Sequence, residues 1–309
     1  MFPLFVSIIV PNYNHSGYLE QRLDTVFNQT YQNFEVIILD DKSEDNSIEI
    51  IEKYKNNSHL SQIVVNDRNS GSPFKQWKKG ICLAKGDYIW IAESDDYCEL
   101  DFLEQLINEI QHHDKVVLAY SNCVKVDERN RIIGQIKERK NHCFCGERFI
   151  KKRLARYCAI NSASCTVFRR EAAMCVSDEY LSFKNAGDYQ FWTEIASQGN
   201  VVAVRKNLVY WRQSLKSVTG NNLSKGIIAF EDKKIFDEIC NKYALTYVEK
   251  WLTDVYHSQA CAKTNFDNEE IRQKLLERWS CQRCKLMYYL GKFLLWISPR
   301  FENYFGILL

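Results

Sequence analysis

Four short runs of aliphatic, β-branched and aromatic residues punctuate the first third of the chain: Phe5 to Val10, Phe34 to Leu39, Gln62 to Val65 and Tyr88 to Ala92. They are near-continuously apolar, as strands are when both faces of their sheet are covered. Between them the apolar positions take a helical period. Leu19, Leu23, Val26 and Phe27 share one helical face, as do Ile48, Ile51 and the stem of Lys55, and then Trp77, Ile81 and Ala84. Strands alternating with such helices predict a parallel sheet with crossover helices on its faces. A further helix is expected from about Asp101 to His112, with Phe102, Leu103, Leu106, Ile107 and Ile110 turned inward.

The pattern then loosens. Strands are expected at Val116 to Tyr120, Ala163 to Phe168 and Val201 to Val204, with a basic helix over Glu147 to Tyr157 and another helix over Tyr189 to Ala196. Together they predict a mixed sheet that closes over the site. From Leu223 onward the pattern is helical, which divides the chain into 1–220 and 221–309. The last stretch, 286–309, is rich in Leu, Tyr, Phe and Trp but broken by Lys292, Pro299, Arg300 and Glu302, so it does not read as a membrane span. It suits either a helix lying on a bilayer surface or one packed back on the protein.

Composition narrows the class. With 46% hydrophobic residues, 13% aromatic residues and 4 Pro, the chain is neither disordered nor fibrous. The 41 basic residues are matched by 39 acidic ones, so no global field recruits nucleic acid and any anion must be held by local groups. Twelve Cys in a chain that opens directly into a strand point to a reducing, cytoplasmic setting with mostly buried free thiols. Cys143/Cys145 and Cys281/Cys284 are each at most half of a zinc site, because a structural zinc takes four ligands and no second pair stands at a suitable interval. No Walker loop, G-x-G-x-x-G or Ser-His-Asp arrangement is present to compete for the chemistry.

Ligands of open α/β sheets sit beyond the carboxyl ends of the strands. The residues there are Pro11-Asn12-Tyr13-Asn14, Asp40-Asp41, Asn66-Asp67-Arg68-Asn69 and Glu93-Ser94-Asp95-Asp96. Adjacent carboxylates repel, and a divalent cation or a set of donors is what makes such a pair worthwhile. Each group has a plainer reading. The acidic turn can start the helix near Leu100, and Asp40-Asp41 can lead into a cap through Asp45 and Ser47. Two acidic strand ends beside Pro-Asn-Tyr-Asn favour a shared nucleotide crevice instead.

Three stretches carry a resemblance: Val-Ser-Ile-Ile-Val-Pro-Asn-Tyr-Asn (6 to 14), the run from Val26 to Ser43 that ends Leu-Asp-Asp-Lys-Ser, and Ala-Lys-Gly-Asp-Tyr-Ile-Trp-Ile-Ala-Glu-Ser-Asp-Asp (84 to 96). In this order they resemble family-two glycosyltransferases of the GT-A fold over roughly residues 5 to 215. The resemblance implies a GT-A type nucleotide-binding mixed sheet flanked by helices, here with a helical C-terminal extension. It implies an inverting, metal-dependent transfer of sugar from a nucleotide-diphosphate donor to a glycan or glycolipid acceptor in cell-surface polysaccharide synthesis, on the inner face of the cytoplasmic membrane. By matching position, Pro11 and Tyr13 frame the nucleotide base and Asp40 accepts from it. Asp95 faces the ribose, Asp96 reaches a Mn2+ or Mg2+ ion bridging the diphosphate, and Asp188 is the catalytic base.

The chain departs from the family pattern in three places. Gly187 stands where a Glu often precedes the base, and Tyr210-Trp211-Arg212-Gln213-Ser214 lacks the His that many members carry after that Arg. Pro73 to Lys79 replaces an Ala-Arg-Asn stretch and leaves open which Lys meets phosphate. Two rivals remain: a non-catalytic nucleotide- or partner-binding α/β domain, and a nucleotidyltransferase, although the latter's Gly-rich signature after the first strand is missing.

Overall fold

The computed structural model describes residues 3–135, 141–213, 222–279 and 287–296. In chain order, β1 (Val6–Asn12), α1 (Ser16–Phe27), β2 (Phe34–Asp40), α2 (Ser47–Glu52), β3 (Leu60–Val65), α3 (Pro73–Leu83) and β4 (Tyr88–Ile91) form the expected parallel unit. There follow β5 (Tyr97–Cys98), α4 (Phe102–Gln111), β6 (Val116–Val126), β7 (Ile132–Gln135) and β8 (His142–Cys145). Helix α5 (Gly146–Phe149) runs on as a π-helical turn over Ile150–Leu154. Next come β9 (Thr166–Arg169), α6 (Arg170–Met174), α7 (Gly187–Ala196) and β10 (Asn200–Arg212), then α8 (Ile227–Lys242), α9 (Tyr247–Lys263) and α10 (Glu269–Arg278). Residues 287–296 are also helical.

The ten strands among the described residues join one mixed sheet in the order β3-β2-β1-β4-β9-β6-β10-β5, with β7 added to β6 and β8 to β10. Strand β1 lies between β2 and β4, so the chain winds away from it in both directions. That reversal opens a crevice at the carboxyl ends of β1 and β4. Strand β9 is antiparallel to β4 and β6, and β6 and β10 are parallel.

Alternate residues of the central strands feed two cores. Val6, Ile8, Val10, Val36, Ile38 and Trp90 face α1, α2 and α4. Ile9, Ile37, Leu39, Ile89 and Ile91 face the other side, toward Trp77 of α3 and Phe191 and Trp192 of α7. Gly80 lets α3 lie close on β1, since a Cβ there would meet Ile9 at 2.5 Å. The second core also takes in Ile235, Phe236 and Ile239 of α8, Leu275 of α10 and Trp279, so it runs without a break across the boundary expected near residue 221.

Several expectations are corrected. Ala163–Cys165 is a 3-10 turn, and the strand begins only at Thr166. Strands β6 and β10 extend far past Tyr120 and Val204, to Val126 and Arg212. The thiols are not mostly buried: Cys98, Cys123, Cys165 and Cys261 are, but Cys82, Cys143, Cys145 and Cys175 are exposed. On β8 the alternation of a strand explains this, because Phe144 takes the inward position and turns both neighbours out. Cys281 and Cys284 lie outside the described residues.

Candidate active site

The loops after β1 and β2 are locked together by side chains. Asn12 pairs with Asp40 in the sheet register, and its Nδ2 donates to Asp40 Oδ2 at 2.8 Å and to Ser43 Oγ at 3.1 Å. Ser43 donates to the same carboxylate through its backbone N–H at 2.8 Å and its hydroxyl at 2.6 Å. Asn14, at φ 54°, donates its N–H to Ser43 Oγ at 3.0 Å and accepts the Glu44 N–H at 2.7 Å. Lys42 also takes the left-handed region, at φ 67°, a conformation that non-glycine residues adopt at a cost and that clusters at functional loops.

In this arrangement Asp40 is 0% exposed and its oxygens already accept three bonds from the protein. These bonds tie the two loops together and leave one acceptor site of the carboxylate unused. Asp41 is equally committed, to Asn66 Nδ2, Ser70 and Gln76 Nε2. Pro11 is buried near the end of β1, while Tyr13, just beyond that strand, is 42% exposed.

Beside this loop Asn66, Asp67, Arg68, Asn69, Ser70 and Lys75 line an open cavity. Lys78 pairs with Asp178, and Lys79 Nζ donates to Asn66 Oδ1. Of the lysines in the 73–79 stretch, Lys75 lines the cavity, with its Nζ donating to the Ser70 carbonyl at 2.9 Å.

The acidic turn is built over a buried cation. Arg22 of α1, 0% exposed, donates from Nε to the Glu93 carbonyl at 2.9 Å and from Nη2 to Ser164 Oγ at 2.9 Å. Ser164 Oγ also accepts the Glu93 N–H at 3.1 Å. Glu93 Oε1 accepts Trp77 Nε1 at 2.8 Å, and burial, then the Asp95 charge, pushes its carboxyl up to about 8. Asp96 is 2% exposed; Oδ2 accepts the Ser162 hydroxyl at 2.9 Å and Oδ1 the Arg212 N–H at 2.8 Å. Burial first and Asp95 second push Asp96 up to about 6.

Arg212, at the end of β10, closes the turn from the other side. Its Nε donates to the Asp95 carbonyl at 2.7 Å, its Nη1 to the Asp127 carbonyl at 2.9 Å, and its guanidinium lies 4.2 Å from the Tyr18 ring centroid. The Asp95 carboxylate is half-buried and has no hydrogen-bond partner among the described residues. Of the two carboxylates Asp96 is the more deeply buried and Asp95 the more open. His15 Nδ1 lies 2.8 Å from Ser94 Oγ, joining the β1 loop to the acidic turn.

Asp188 enters from α7. Its half-buried carboxylate accepts the Tyr189 N–H at 2.8 Å, and burial is the main cause that pushes it up to about 6, with the Glu231 charge adding. Burial and Asp188 together push its neighbour Asp232 up to about 7. Gly187 has no room for the Glu of the family pattern: a Cβ would meet Phe74 and the Tyr180 carbonyl, both at 2.6 Å. The link from α7 to the acidic turn is Trp77, which donates to Glu93 and packs 5.8 Å from both Phe191 and Trp192.

Sequence reasoning missed Arg22, Ser162, Ser164 and Glu231. The signal for Arg22 was there: a lone Arg between Leu19, Leu23 and Val26 on the inward face of α1. Among the described residues no group of three or more His, Cys, Asp or Glu stands ready to hold a metal ion by itself.

The geometry agrees with what the chain is similar to. The family model described as Glycosyl transferase family 2 matches residues 7–177. Poly(ribitol-phosphate) beta-N-acetylglucosaminyltransferase TarS of Staphylococcus aureus (strain Mu50) is 26% identical over 264 residues, covering 83% of this chain and 43% of that protein. The crystal structure of S. aureus TarS 1-349 in complex with UDP-GlcNAc shares the fold, with TM-score 0.69, 17% identity, and coverage of 94% of this chain and 88% of that one. The mannosyltransferase PcManGT of Pyrobaculum calidifontis, solved in complex with GDP-Man and Mn2+, shares it at TM-score 0.50 and 15% identity, covering 99% of this chain and 82% of that one. The chain spans 40%, 43% and 50% of the length of three curated relatives it matches.

Proposed function

The chain belongs to glycosyl transferase family 2, and we propose that it moves a sugar, with inversion, from a nucleotide-diphosphate donor to a hydroxyl of a cell-surface glycan or glycolipid. The observation that carries the reading is the acidic turn at the switch point of the sheet. There Asp96 is held by Ser162 and Arg212, one bond to each oxygen, while the adjacent Asp95 carboxylate accepts from no protein donor among the described residues. Glu93, Asp95 and Asp96 repel one another and buried Arg22 offsets part of that repulsion, so a cation meeting the open Asp95 carboxylate would relieve the rest.

Mn2+ or Mg2+ fits that donor set, because both take hard oxygen ligands and draw most of them from phosphates and water. Asp95, backed by Asp96, would hold the ion, which when bound neutralises charge developing on the leaving diphosphate. Tyr13 and Pro11 frame the base, Asp40 keeps their loop in place, and Lys75 and Arg68 stand at the neighbouring cavity. Asp188 takes the proton from the acceptor hydroxyl, whose oxygen attacks the anomeric carbon from the face opposite the diphosphate. The bond to the diphosphate breaks as the new glycosidic bond forms, and the configuration inverts.

The helix at 287–296 carries Tyr289, Leu290, Phe293 and Trp296 on exposed positions, a surface suited to bring the protein to a membrane-borne acceptor. Among the described residues no helix is long and apolar enough to cross a membrane.

Thermal unfolding and donor hydrolysis with a set of UDP- and GDP-sugars, with and without Mn2+, test the reading. One donor is expected to raise the Tm only with metal present, by about 2.7 kcal/mol of stability at a hundredfold excess over Kd. Asp95→Ala should abolish that metal dependence. A protein that no nucleotide sugar stabilises and that turns none over is a binding domain instead, and one that releases pyrophosphate is a nucleotidyltransferase.

A further inference from the structure

Glu231 lies in the first turns of α8, in the helical part of the chain beyond residue 220, yet its carboxylate is committed to the loop that delivers Asp188. One oxygen accepts the Lys184 N–H at 2.7 Å, and the other accepts the N–H groups of Asn185 at 2.9 Å and Ala186 at 2.8 Å. Three successive backbone donors converging on one carboxylate form a nest of charge-assisted bonds. The last of them belongs to Ala186, the N-cap residue of α7, which has no side-chain oxygen to cap the helix itself. Gly187 follows with no space for any side chain. The chain neighbours of Asp188 thus cannot anchor its loop, and a residue some forty positions further along does so.

We propose that Glu231 is a positioning residue for sugar transfer, through which the helical extension fixes the 184–186 loop and so the place of the Asp188 carboxylate before the acceptor hydroxyl. The inference rests on the reading of Asp188 as the base. The same carboxylate is faced by Asp232 of α8 and by the Cys158 thiol, both raised by burial and by Asp188, so the extension also shapes the charge around it. A base held 1 Å from its productive place loses rate while the donor, bound at the other end of the crevice, is unaffected.

A double-mutant cycle on the full chain tests this, with kcat and KM for transfer, donor Kd and Tm measured for the parent, E231A, E231Q, D188N and E231A/D188N. E231A is expected to lower kcat about tenfold to a hundredfold with donor Kd unchanged. E231Q keeps one acceptor oxygen and should lose less. The double variant should be no slower than D188N alone, because an absent base cannot be misplaced. Parental kcat in E231A, or a loss that carries over undiminished onto D188N, overturns the proposal and leaves Glu231 a stabiliser of the fold. Should E231A fail to fold, E231Q/D188N supplies the same comparison. A D188N protein with parental kcat refutes the base itself, and does so independently of any change at Glu231.

Discussion

Asp96 and Asp188 are both pushed up to about 6 by burial, and what separates them is the use of their oxygens. Asp96 accepts from Ser162 and from the Arg212 N–H, one bond on each oxygen, which holds it within the turn. Among the described residues the Asp188 carboxylate accepts from backbone N–H groups at the start of α7, Tyr189 first, and from no side chain, which leaves it open to a substrate proton. A base must be deprotonated to act, so kcat should rise with pH through about 6 and level off above it. Asp188→Asn should lower kcat on the order of a hundredfold, remove that ascending limb and leave donor binding intact. Stability runs the other way. The carboxyl's folded value lies above its unfolded one, so its contribution is full below the unfolded value and is lost as pH rises through about 6. The Asn variant should therefore match or exceed the parent Tm at pH 8. A variant with parental kcat, or one destabilised at pH 8, would mark Asp188 as the start of a helix and nothing more.

At the scale of elements, the helix at 287–296 shows how a face gains a purpose. Its Gly291 lies against α9, where a Cβ would meet Val255 at 2.7 Å and Trp251 at 3.1 Å, so one side of the helix is spoken for. Tyr289, Leu290 and Phe293 remain exposed, with Lys292 reaching over the Tyr288 and Tyr289 rings. Aromatic rings beside a cation suit the headgroup region of a bilayer. The full chain is expected to float with anionic vesicles, and the pair Tyr289→Ser and Phe293→Ser to cut the floating fraction several-fold; equal flotation of the two proteins would leave the face without this role. Some elements were legible in the chain and some were not, for physical reasons. The parallel unit stands out because β1, β2 and β4 are buried on both faces and read as unbroken apolar runs. Strands β6 and β10 run on through Ser121-Asn122 and Lys206-Asn207, where polar residues end the apolar run while the backbone continues in the sheet with irregular register. Arg22 was concealed because a helical face of Leu19, Leu23 and Val26 announces burial, and only the fold supplies the acidic turn that makes a buried Arg useful. Asp95, Asp96 and Asp188 stand in motifs that the sequence displays, whereas Glu231 has no motif and reaches its loop only through tertiary structure.

For the whole molecule, the helical extension shares a hydrophobic core with the sheet. Ile235, Phe236, Ile239, Leu275 and Trp279 belong to the same core as Trp77, Phe191 and Trp192, with Glu231 tying α8 to the Asp188 loop at the core's edge. Burying a large apolar side chain contributes about 1.5–3 kcal/mol, so these five together stabilise the fold on the order of 10 kcal/mol. That is comparable with the whole stability of a typical protein, about 5–15 kcal/mol. A shared core of this size leads us to expect that 1–220 and 221–309 fold as one unit. Calorimetry should show the full chain unfolding in one transition whose van't Hoff and calorimetric enthalpies agree. A chain ending at residue 220 would leave the apolar surface beneath α8 uncovered and the 184–186 donors without their carboxylate. It is expected to lack a cooperative transition, to aggregate, and to be inactive even where donor is present. Two separate transitions in the full chain, or a soluble, cooperatively folding protein of residues 1–220, would establish two folding units, and the control of Asp188 from α8 would then have to act between domains.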